Sequence, residues 1–276
     1  MPDSATPILR ALQPRDIPAA LRLSVEANWN QTADDWGTLI ELSPQGCMGI
    51  EVDGELAATA TLFCYQFRLA WIGMVLTKVS HRGRGFARRL LTHALTLADE
   101  LGIETVKLDA TDQGQPLYEK LGFRCEQPVE RWGRTAQGDA TLSPTPREQA
   151  PAENWFASDA YAFGVDRSPL LIALARRHSP ICADRSYLLT RSGRMNKFMG
   201  PCVANDVTTA RSLIGRALKG ESIGWSWDLF PKNTTAVAMA GDLGFTPQRH
   251  LMRMVRGKEL RAHEELIFAL AGFELG

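Results

Sequence analysis

The spacing of apolar residues in the first half of the chain predicts a series of strands and helices. Continuous or alternating apolar runs indicate strands, and apolar residues repeated every three or four positions indicate amphipathic helices. Strands are predicted at 47–52, 55–65, 70–79, 105–110 and 123–132, and helices at 17–23, from 87 to near 102, and at 117–121. Asp53-Gly54 separates the first two strands and is a strong hairpin signal. We therefore expect an α/β fold with a mixed sheet.

The second half repeats this order of elements after a change in composition. Few apolar anchors occur between 133 and 154, which indicates a linker. Helices are then predicted at 170–178, 206–218 and 233–243, and strands at 187–190, 198–204, 223–229 and 246–255. Residues 87–91 align with 210–214, and 121–123 align with 243–245, at offsets that differ by one residue. This predicts a diverged internal repeat, with domains at 1–135 and 159–276 and a linker at 136–158.

Composition and charge exclude several classes of protein. The chain has 31 Lys and Arg and 31 Asp and Glu among 276 residues, whereas a nucleic-acid-binding domain would be basic. Five cysteines without a C-x-x-C pair or zinc spacing favour reduced thiols, a cytoplasmic protein and no metal. The first residues do not resemble a signal peptide. The apolar stretch 56–77 could span a bilayer, but Arg68 near its centre favours two buried strands, so no membrane is expected.

A glycine-rich segment, Arg82-Gly83-Arg84-Gly85-Phe86-Ala87, lies between a predicted strand and a predicted helix. The first amides of a helix lack internal partners and carry the positive end of its dipole, so this position favours anions. Glycines let a phosphate approach the backbone, and the two arginines add charge. A basic turn before an amphipathic helix is the alternative interpretation.

Two motifs in this order resemble the GNAT superfamily of acyl-CoA-dependent N-acetyltransferases. The first is Arg82-x-x-Gly85-x-Ala87, which is similar to that family's pyrophosphate-binding motif, and the second is Leu117-Tyr118-Glu119-Lys120-Leu121-Gly122-Phe123. The resemblance spans residues 8–132, and the segments 29–36 and 108–111 are further similar to a bacterial two-lobed subgroup. It implies tandem GNAT-like folds, each a mostly antiparallel central sheet flanked by helices, and acetyl-CoA as co-substrate.

The resemblance also implies roles for particular residues. Tyr118 would protonate or bind the departing thiolate, although a core aromatic on an amphipathic helix is the alternative. The residues expected to hold the cofactor are Val75, Leu76, Thr77, Arg82, Gly83, Arg84, Gly85, Phe86, Ala87 and Gly114. Thr111 and Gly114 depart from the family, which often has Asn and Ala at these places.

The second copy lacks the residues that carry the chemistry in the first. Asn205, Asp206, Thr208 and Ala240 stand where the first copy has Arg82, Gly83, Gly85 and Tyr118. Asn233 and Ala236 nevertheless match the family pattern. We expect one active site, in the first domain, and a degenerate second domain.

The expected activity is transfer of an acetyl group to the primary amine of a small molecule by direct attack in a ternary complex. A non-catalytic acyl-CoA sensor and a protein-lysine acetyltransferase are the alternatives. Substrate is expected near Trp29, Asn30, Asp35, Trp36, Trp71 and Asp109, although the tryptophans could be core and the aspartates helix caps. The general base stays open among Asp109, Glu26, Asp34, Asp35 and a water chain, with His81 as a phosphate neighbour or surface residue. A homodimer also stays open.

Overall fold

The computed structural model describes residues 6–136 and 155–276. The strands are β1 (Ile8–Ala11), β2 (Cys47–Val52), β3 (Glu55–Tyr65), β4 (Leu69–Thr77), β5 (Thr105–Ala110), β6 (Arg124–Arg134), β7 (Ile181–Ala183), β8 (Ser186–Arg191), β9 (Lys197–Val203), β10 (Trp225–Leu229), β11 (Thr246–Gly257) and β12 (Ile267–Ala269). The helices are α1 (Ile17–Glu26), α2 (Ala33–Leu42), α3 (Phe86–Glu100), α4 (Gln115–Glu119), α5 (Trp155–Phe163), α6 (Ser168–Arg177), α7 (Val207–Leu218) and α8 (Thr234–Asp242).

All of these strands belong to one sheet. Their order is β1-β2-β3-β4-β5-β11-β6-β10-β9-β8-β7, and β12 pairs with β9. Most pairs are antiparallel, and the parallel ones are β4 with β5 and β9 with β10. Helices pack against the sheet through three apolar clusters. Two of them contain residues from both halves of the chain, and Trp132 of the first half packs against the third. The α/β class and the mostly antiparallel sheet predicted from the sequence are confirmed.

The two halves of the chain exchange their last long strands. β11 comes from the second half but pairs with β5 of the first half, and β6 of the first half pairs with β10 of the second. β11 and β6 also pair with each other along most of their length. The predicted boundary near residue 135 therefore separates two segments of the sequence, but strands from both segments pair in one continuous sheet.

Strands β4 and β5 run together for only three residues and then separate. Leu69–Trp71 pairs with Thr105–Lys107, and beyond this point no strand in the described part of the chain pairs with β4 on the β5 side. A β-bulge in β4 accompanies the separation, because the register passes from Thr59↔Leu76 to Thr61↔Gly73. Met74 lies in this bulge with φ of 49°, and its carbonyl accepts a hydrogen bond from the Thr59 hydroxyl at 2.8 Å. An open cleft between the two strands follows from this geometry.

The equivalent parallel pair in the second half is closed. β9 and β10 pair at three positions and then diverge, as β4 and β5 do. Here β12 occupies the gap, because Ile267 pairs with Val203 of β9 and the Leu270 amide donates to the Asp228 carbonyl of β10 at 2.8 Å. The second half therefore has the divergence of the strands but not the open cleft.

The predicted linker agrees only partly with the structure. Residues 137–154 lie outside the described residues. Residues 155–158, which were assigned to the linker, form the start of α5. Trp155 is buried and stacks on Phe156, with ring centroids 4.1 Å apart, and its ring also lies 4.5 Å from that of Tyr187. The contact with Tyr187 joins residues that are distant in the chain, so the local composition does not indicate that Trp155 is buried.

The apolar stretch 56–77 forms β3 and β4, as predicted. No helix in the described residues is long and apolar enough to cross a membrane.

Candidate active site

The glycine-rich segment forms a turn that ends at the N-terminus of α3. Gly83 and Gly85 have φ of 76° and 78°, which favours glycine, and a Cβ at either position would meet no atom within 4 Å. Gly85 is the N-cap residue of α3 and supplies no side-chain cap, so the first amides of the helix are available to an anion. Phe86 is buried beneath the turn and Ala87 is half-buried. The backbone is therefore arranged as a phosphate site requires.

The two arginines of this segment are exposed and bind no carboxylate in the described part of the chain. The Arg82 side chain approaches the Thr77 carbonyl at 3.4 Å, and the Arg84 guanidinium lies 5.3 Å from the Phe86 ring centroid. Both charges remain available to a ligand at the turn.

The end of β4 leads from this turn into the cleft. Val75 lines the cleft and Thr77 is half-buried at the end of the strand. The Leu76 side chain is instead buried in the apolar core on the other face of the sheet. Of the three residues predicted here, Leu76 could therefore contact a ligand through its backbone only.

Tyr118 lies on the short helix α4 at the inner end of the cleft. Its side chain is 8% exposed, stacks edge-on against Phe123 with ring centroids 6.1 Å apart, and makes no hydrogen bond to a described residue. A Cβ at Gly114 would lie 3.0 Å from the Tyr118 ring, so glycine allows the close approach of the loop. Thr111 accepts a hydrogen bond from the Gly114 amide at 3.2 Å. Burial raises the pKa of Tyr118 to about 12, so the phenol is protonated at neutral pH.

A cavity of about 140 Å³ lies beside Tyr118, where the cleft meets the second half of the chain. Its walls come from β4, β5, β6, β11, the loop before α2 and residues 273–274. The lining residues are Trp29, Gln31, Ile72, Gly73, Met74, Val75, Leu108, Asp109, Thr111, Tyr118, Arg131, Arg249, Leu251, Phe273 and Glu274. Of the residues predicted to bind cofactor or substrate or to act in catalysis, Trp29, Val75, Asp109 and Tyr118 line this one cavity.

Asp109 is held in a buried ion pair between two strands. Both of its carboxylate oxygens accept hydrogen bonds from Arg253 of β11, at 2.8 and 2.9 Å. The Arg253 guanidinium lies between the rings of Trp71 and Phe230, at 4.4 and 4.8 Å. Burial raises the pKa of Asp109, and Arg253 opposes this rise. Because this carboxylate already binds a guanidinium through both oxygens, it is a poor candidate for the general base.

The two predicted substrate tryptophans are core residues. Trp36 is fully buried and its indole N–H donates to the Ser24 hydroxyl at 3.0 Å. Trp71 is 1% exposed and its indole N–H donates to the Phe273 carbonyl at 2.9 Å. Neither lines the cavity, because both rings fill the apolar interior on which the helices and residues 271–276 pack. The prediction that Trp36 and Trp71 contact the substrate in this cavity is therefore wrong.

Asn30 and Asp35 also have structural partners and do not line the cavity. The Asn30 side chain accepts from the amides of Met195 and Asn196, at 2.7 and 3.0 Å, and donates to the Asn196 carbonyl at 2.9 Å. Asp35 closes a capping box with Thr32 at the start of α2 and pairs with Arg191 at 3.2 Å. The capping role that was the alternative for Asp35 is the one that the structure gives it.

The other base candidates are elsewhere. Glu26 accepts from the Val79 amide at 2.9 Å and Asp34 pairs with Arg177 at 2.8 Å, both at the surface. His81 contacts the Ser80 hydroxyl at 3.0 Å and lies beside Phe86, next to the glycine-rich turn. None of the three lines the cavity.

Several cavity residues could not be identified from sequence motifs. Gln31 lies in the quoted segment 29–36, whereas Arg131, Arg249, Phe273 and Glu274 come from β6, β11 and the segment after β12. Their only sequence signal is a charged residue within a strand pattern, as at Arg131 and Arg249. Arg249, Phe273 and Glu274 lie more than 100 residues after the motifs of the first half, and they reach the site through the pairing of β11 with β5 and through the segment that follows β12. Among the described residues no group of His, Cys, Asp and Glu could hold a metal ion.

Comparisons with known proteins agree with this geometry. A sequence model described as the acetyltransferase (GNAT) family matches residues 13–123, and one described as an acetyltransferase (GNAT) domain matches residues 156–269. Together they cover well over half of the chain. A Bacillus subtilis protein described as the uncharacterized N-acetyltransferase YitH is 27% identical over 247 residues, which are 85% of this chain and 86% of that protein.

Solved structures show the same fold over nearly the whole chain. A structure from Pyrococcus horikoshii, described as a candidate acetyltransferase, matches with a TM-score of 0.86 at 22% identity and covers 98% of this chain and 96% of that one. A GCN5-related N-acetyltransferase from Sphaerobacter thermophilus matches with a TM-score of 0.67 at 15% identity, over 93% of this chain and 97% of that one. The chain therefore belongs to the GNAT superfamily, carries two GNAT domains in tandem, and is an acetyl-CoA-dependent N-acetyltransferase.

Proposed function

We propose that this enzyme acetylates the primary amine of a small molecule by direct attack in a ternary complex. The observation that carries this proposal is the cavity beside Tyr118, which is walled by both halves of the chain. Its volume of about 140 Å³ is well below the roughly 300–1,000 Å³ of pockets that hold drug-sized ligands. A small amine fits such a space.

The residues present fit acetyl-CoA. The turn at 82–87 would hold the pyrophosphate on the free amides of α3, with Arg82 and Arg84 as counter-charges. The open edge of β4 from Val75 to Thr77 would run along the pantetheine arm, and the Gly114 loop would flank its inner end. When bound, acetyl-CoA supplies the acetyl group, so that the N–C bond forms as the C–S bond breaks and CoA leaves as the thiol.

The residues of the chain then act on charge and protons. An ammonium must lose one proton to solvent before it can attack, and the amine gives up a second as it becomes an amide. Amides on the open edge of β4 could donate to the negative charge that develops on a carbonyl oxygen in the cleft. The Tyr118 phenol, with its pKa raised to about 12, is too weak an acid to protonate a thiolate of pKa near 8.5 completely. We therefore assign it hydrogen-bond donation to the departing sulfur.

One active site per chain is our further proposal. In the second half, β12 fills the gap that forms the cleft in the first half. The start of α7 is capped by the Asp206 side chain, which accepts from the Thr209 amide at 2.8 Å and places a negative charge where an anion would bind. Ala240 stands at the position of Tyr118. The second domain would thus support the site rather than duplicate it.

The enclosure of the cavity disfavours a protein-lysine acceptor. β11 and residues 273–274 stand across the substrate side, where an extended peptide would need an open groove. A sensor without turnover would have no need of the Tyr118 hydroxyl, which lies at the cavity without a hydrogen bond to any residue that the structure describes.

Thiol release from acetyl-CoA across a panel of amines tests the proposal. We expect turnover with at least one small amine, and Tyr118→Phe should reduce kcat at least tenfold with little change in the Kd for CoA. Tight CoA binding without thiol release for any amine would instead support the sensor. Unchanged kcat in Tyr118→Phe would remove Tyr118 from the mechanism.

A further inference from the structure

Arg249 brings a positive charge to the cavity without a partner carboxylate. It lies half-buried on β11 and lines the cavity, and its side chain makes no hydrogen bond or ion pair with any described residue. Its guanidinium lies 5.9 Å from the Trp29 ring centroid. Two other arginines near the cavity, Arg131 and Arg253, each bind an aspartate through both oxygens. Arg249 therefore differs from its neighbours in having an unused bidentate donor.

The position of Arg249 makes an anionic ligand favourable. It stands directly opposite Arg131 in the β11–β6 register. Burial and the charge of Arg131 lower the pKa of Arg249, and the charge of Asp228, which is bound to Arg131, opposes them in part. A buried charge next to a like charge is unfavourable unless an opposite charge joins it. A carboxylate bound in the cavity would remove this penalty.

Glu274 brings a buried negative charge to the wall of the same cavity. Its side chain is 3% exposed and shares Arg191 with Asp35, at 3.0 and 3.2 Å, so that two carboxylates face one guanidinium. Burial raises the pKa of Glu274 and Asp35 adds to the rise, whereas the charges of Arg191 and Arg131 oppose it. A cation beside Glu274 would relieve this repulsion.

An unsatisfied acceptor lies next to this carboxylate. Gln31 is 8% exposed, and its side-chain N–H donates to Glu274 at 3.1 Å. The Gln31 side-chain oxygen has no hydrogen-bond partner in the described residues. A buried acceptor without a donor costs about 1–3 kcal/mol. An ammonium has three N–H donors and could bind Gln31 and Glu274 together.

Glu274 is also close to the place where acetyl transfer would occur. A Cβ on Gly73 would lie 2.9 Å from the Glu274 Cα, so the two backbones are in contact. Gly73 precedes the β-bulge at Met74, which opens the cleft. An amine held at Glu274 would therefore lie beside the open edge of β4.

We propose that the acceptor is a free amino acid, with its carboxylate on Arg249 and its amine beside Glu274 and Gln31. This inference rests on the proposed acetyl transfer and adds the second charged group of the substrate. The cavity offers one guanidinium without a bound carboxylate, and a buried carboxylate beside an acceptor without a donor, which match the two ends of a zwitterion.

The test compares free amino acids with their methyl esters and with alkylamines of similar size. Thiol release should favour the free acids, and loss of the carboxylate should lower kcat/KM on the order of 10- to 100-fold, as expected for a charged hydrogen bond. Arg249→Met should raise KM for the amino acid by a similar factor and leave the ester unaffected. Arg256→Met, on the same strand but paired with Asp99 at the surface, is the matched control and should change neither.

Glu274→Gln keeps the shape of the side chain and removes its charge. We expect it to raise KM for every amine in the panel, with or without a carboxylate. If it raises KM for none, the amine does not bind at Glu274 and the proposed orientation is overturned.

Calorimetry gives a readout that does not depend on turnover. An amino acid that is a substrate should bind the CoA-loaded protein, and Arg249→Met should weaken that binding with no change in the Kd for CoA. A loss of CoA affinity with an unchanged amino-acid KM would mean that Arg249 binds a cofactor phosphate, which overturns the inference. Equal turnover of acids, esters and alkylamines would also overturn it while leaving the acetyl transfer intact.

The two proposals can fail separately. If no amine releases thiol although CoA binds, the proposed transfer fails. Amino-acid binding that requires Arg249 would then still support the pocket, and absence of any amino-acid binding would overturn it.

Discussion

Replacing Gly85 with alanine tests whether the turn at 82–87 binds the cofactor through its backbone. Gly85 has φ of 78°, and a Cβ there would meet no protein atom within 4 Å. The fold therefore loses only the left-handed preference of glycine, about 1–2 kcal/mol. Gly54, in the hairpin between β2 and β3, has φ of 79° and equally open surroundings. Gly54→Ala is thus a control with the same backbone strain away from the turn.

The two variants should lose the same stability and differ in cofactor affinity. A loss of about 1–2 kcal/mol lowers Tm by a few degrees in a chain of this size. In Gly85→Ala the added methyl also projects where a phosphate would approach the free amides of α3. Loss of one charged hydrogen bond, about 1.5–3 kcal/mol, would weaken CoA binding by about 10- to 150-fold.

Thermal unfolding of the apo protein and calorimetric titration with CoA measure the two effects separately. The expected result is a similar drop in Tm for both variants and a weaker Kd only for Gly85→Ala. If both variants bind CoA as tightly as the unmodified chain, the pyrophosphate does not lie on this turn. A loss of affinity in Gly54→Ala as well would mean that strain, and not access to the backbone, controls binding.

Four further outcomes follow from the structure. Because burial raises the pKa of Tyr118 to about 12, kcat should rise with pH as the acceptor amine loses its proton and then stay level; a decline centred near pH 10 would contradict the assignment. The same raised pKa stabilises the fold below about pH 10, the ordinary pKa of a phenol, and this stabilisation should be lost between about pH 10 and 12, which urea unfolding can measure. Asn30→Ala leaves the amides of Met195 and Asn196 without their hydrogen-bond acceptor. The free energy of unfolding should therefore fall by about 2 kcal/mol or more, with no change in KM for the amine substrate. A raised KM at full stability would instead place Asn30 in the substrate site. Gly73→Ala places a Cβ 2.9 Å from the Glu274 backbone, so faster hydrogen exchange at residues 271–276 and a loss of turnover are expected, and normal exchange would show that the contact can relax.

The parts of the site that follow local rules could be predicted from the sequence. The turn at 82–87 combines positive-φ glycines with a helix start, and both signals lie within six residues. Tyr118 precedes Gly122, which ends the segment after α4 in a left-handed conformation. In each case the chemistry depends on residues that are neighbours in the chain.

The bulge at Met74 and the place of the tryptophans could not be predicted in the same way. The residues around Met74 are apolar and typical of a strand, and the bulge depends on the register with β3. Trp36 on α2 and Trp71 on β4 are buried in the core, whereas Trp29 is half-buried in the loop between α1 and α2 and lines the cavity. That choice depends on the packing of distant segments, such as residues 271–276 on Trp71.

Strand exchange explains why a second domain without an anion loop still matters to the site. β11 supplies Arg249 to the cavity and Arg253 to Asp109, so the first domain lacks both groups without the second. The segment from β12 onward closes the second cleft at β9 and then continues to Glu274 at the wall of the first cavity. Opening the second cleft for a cofactor would displace β12 and with it the segment that carries Glu274. Residues 267–276 thus close the cleft of the second half and complete the wall of the cavity in the first half. The presence of one open cleft per chain would then be a consequence of the duplication itself.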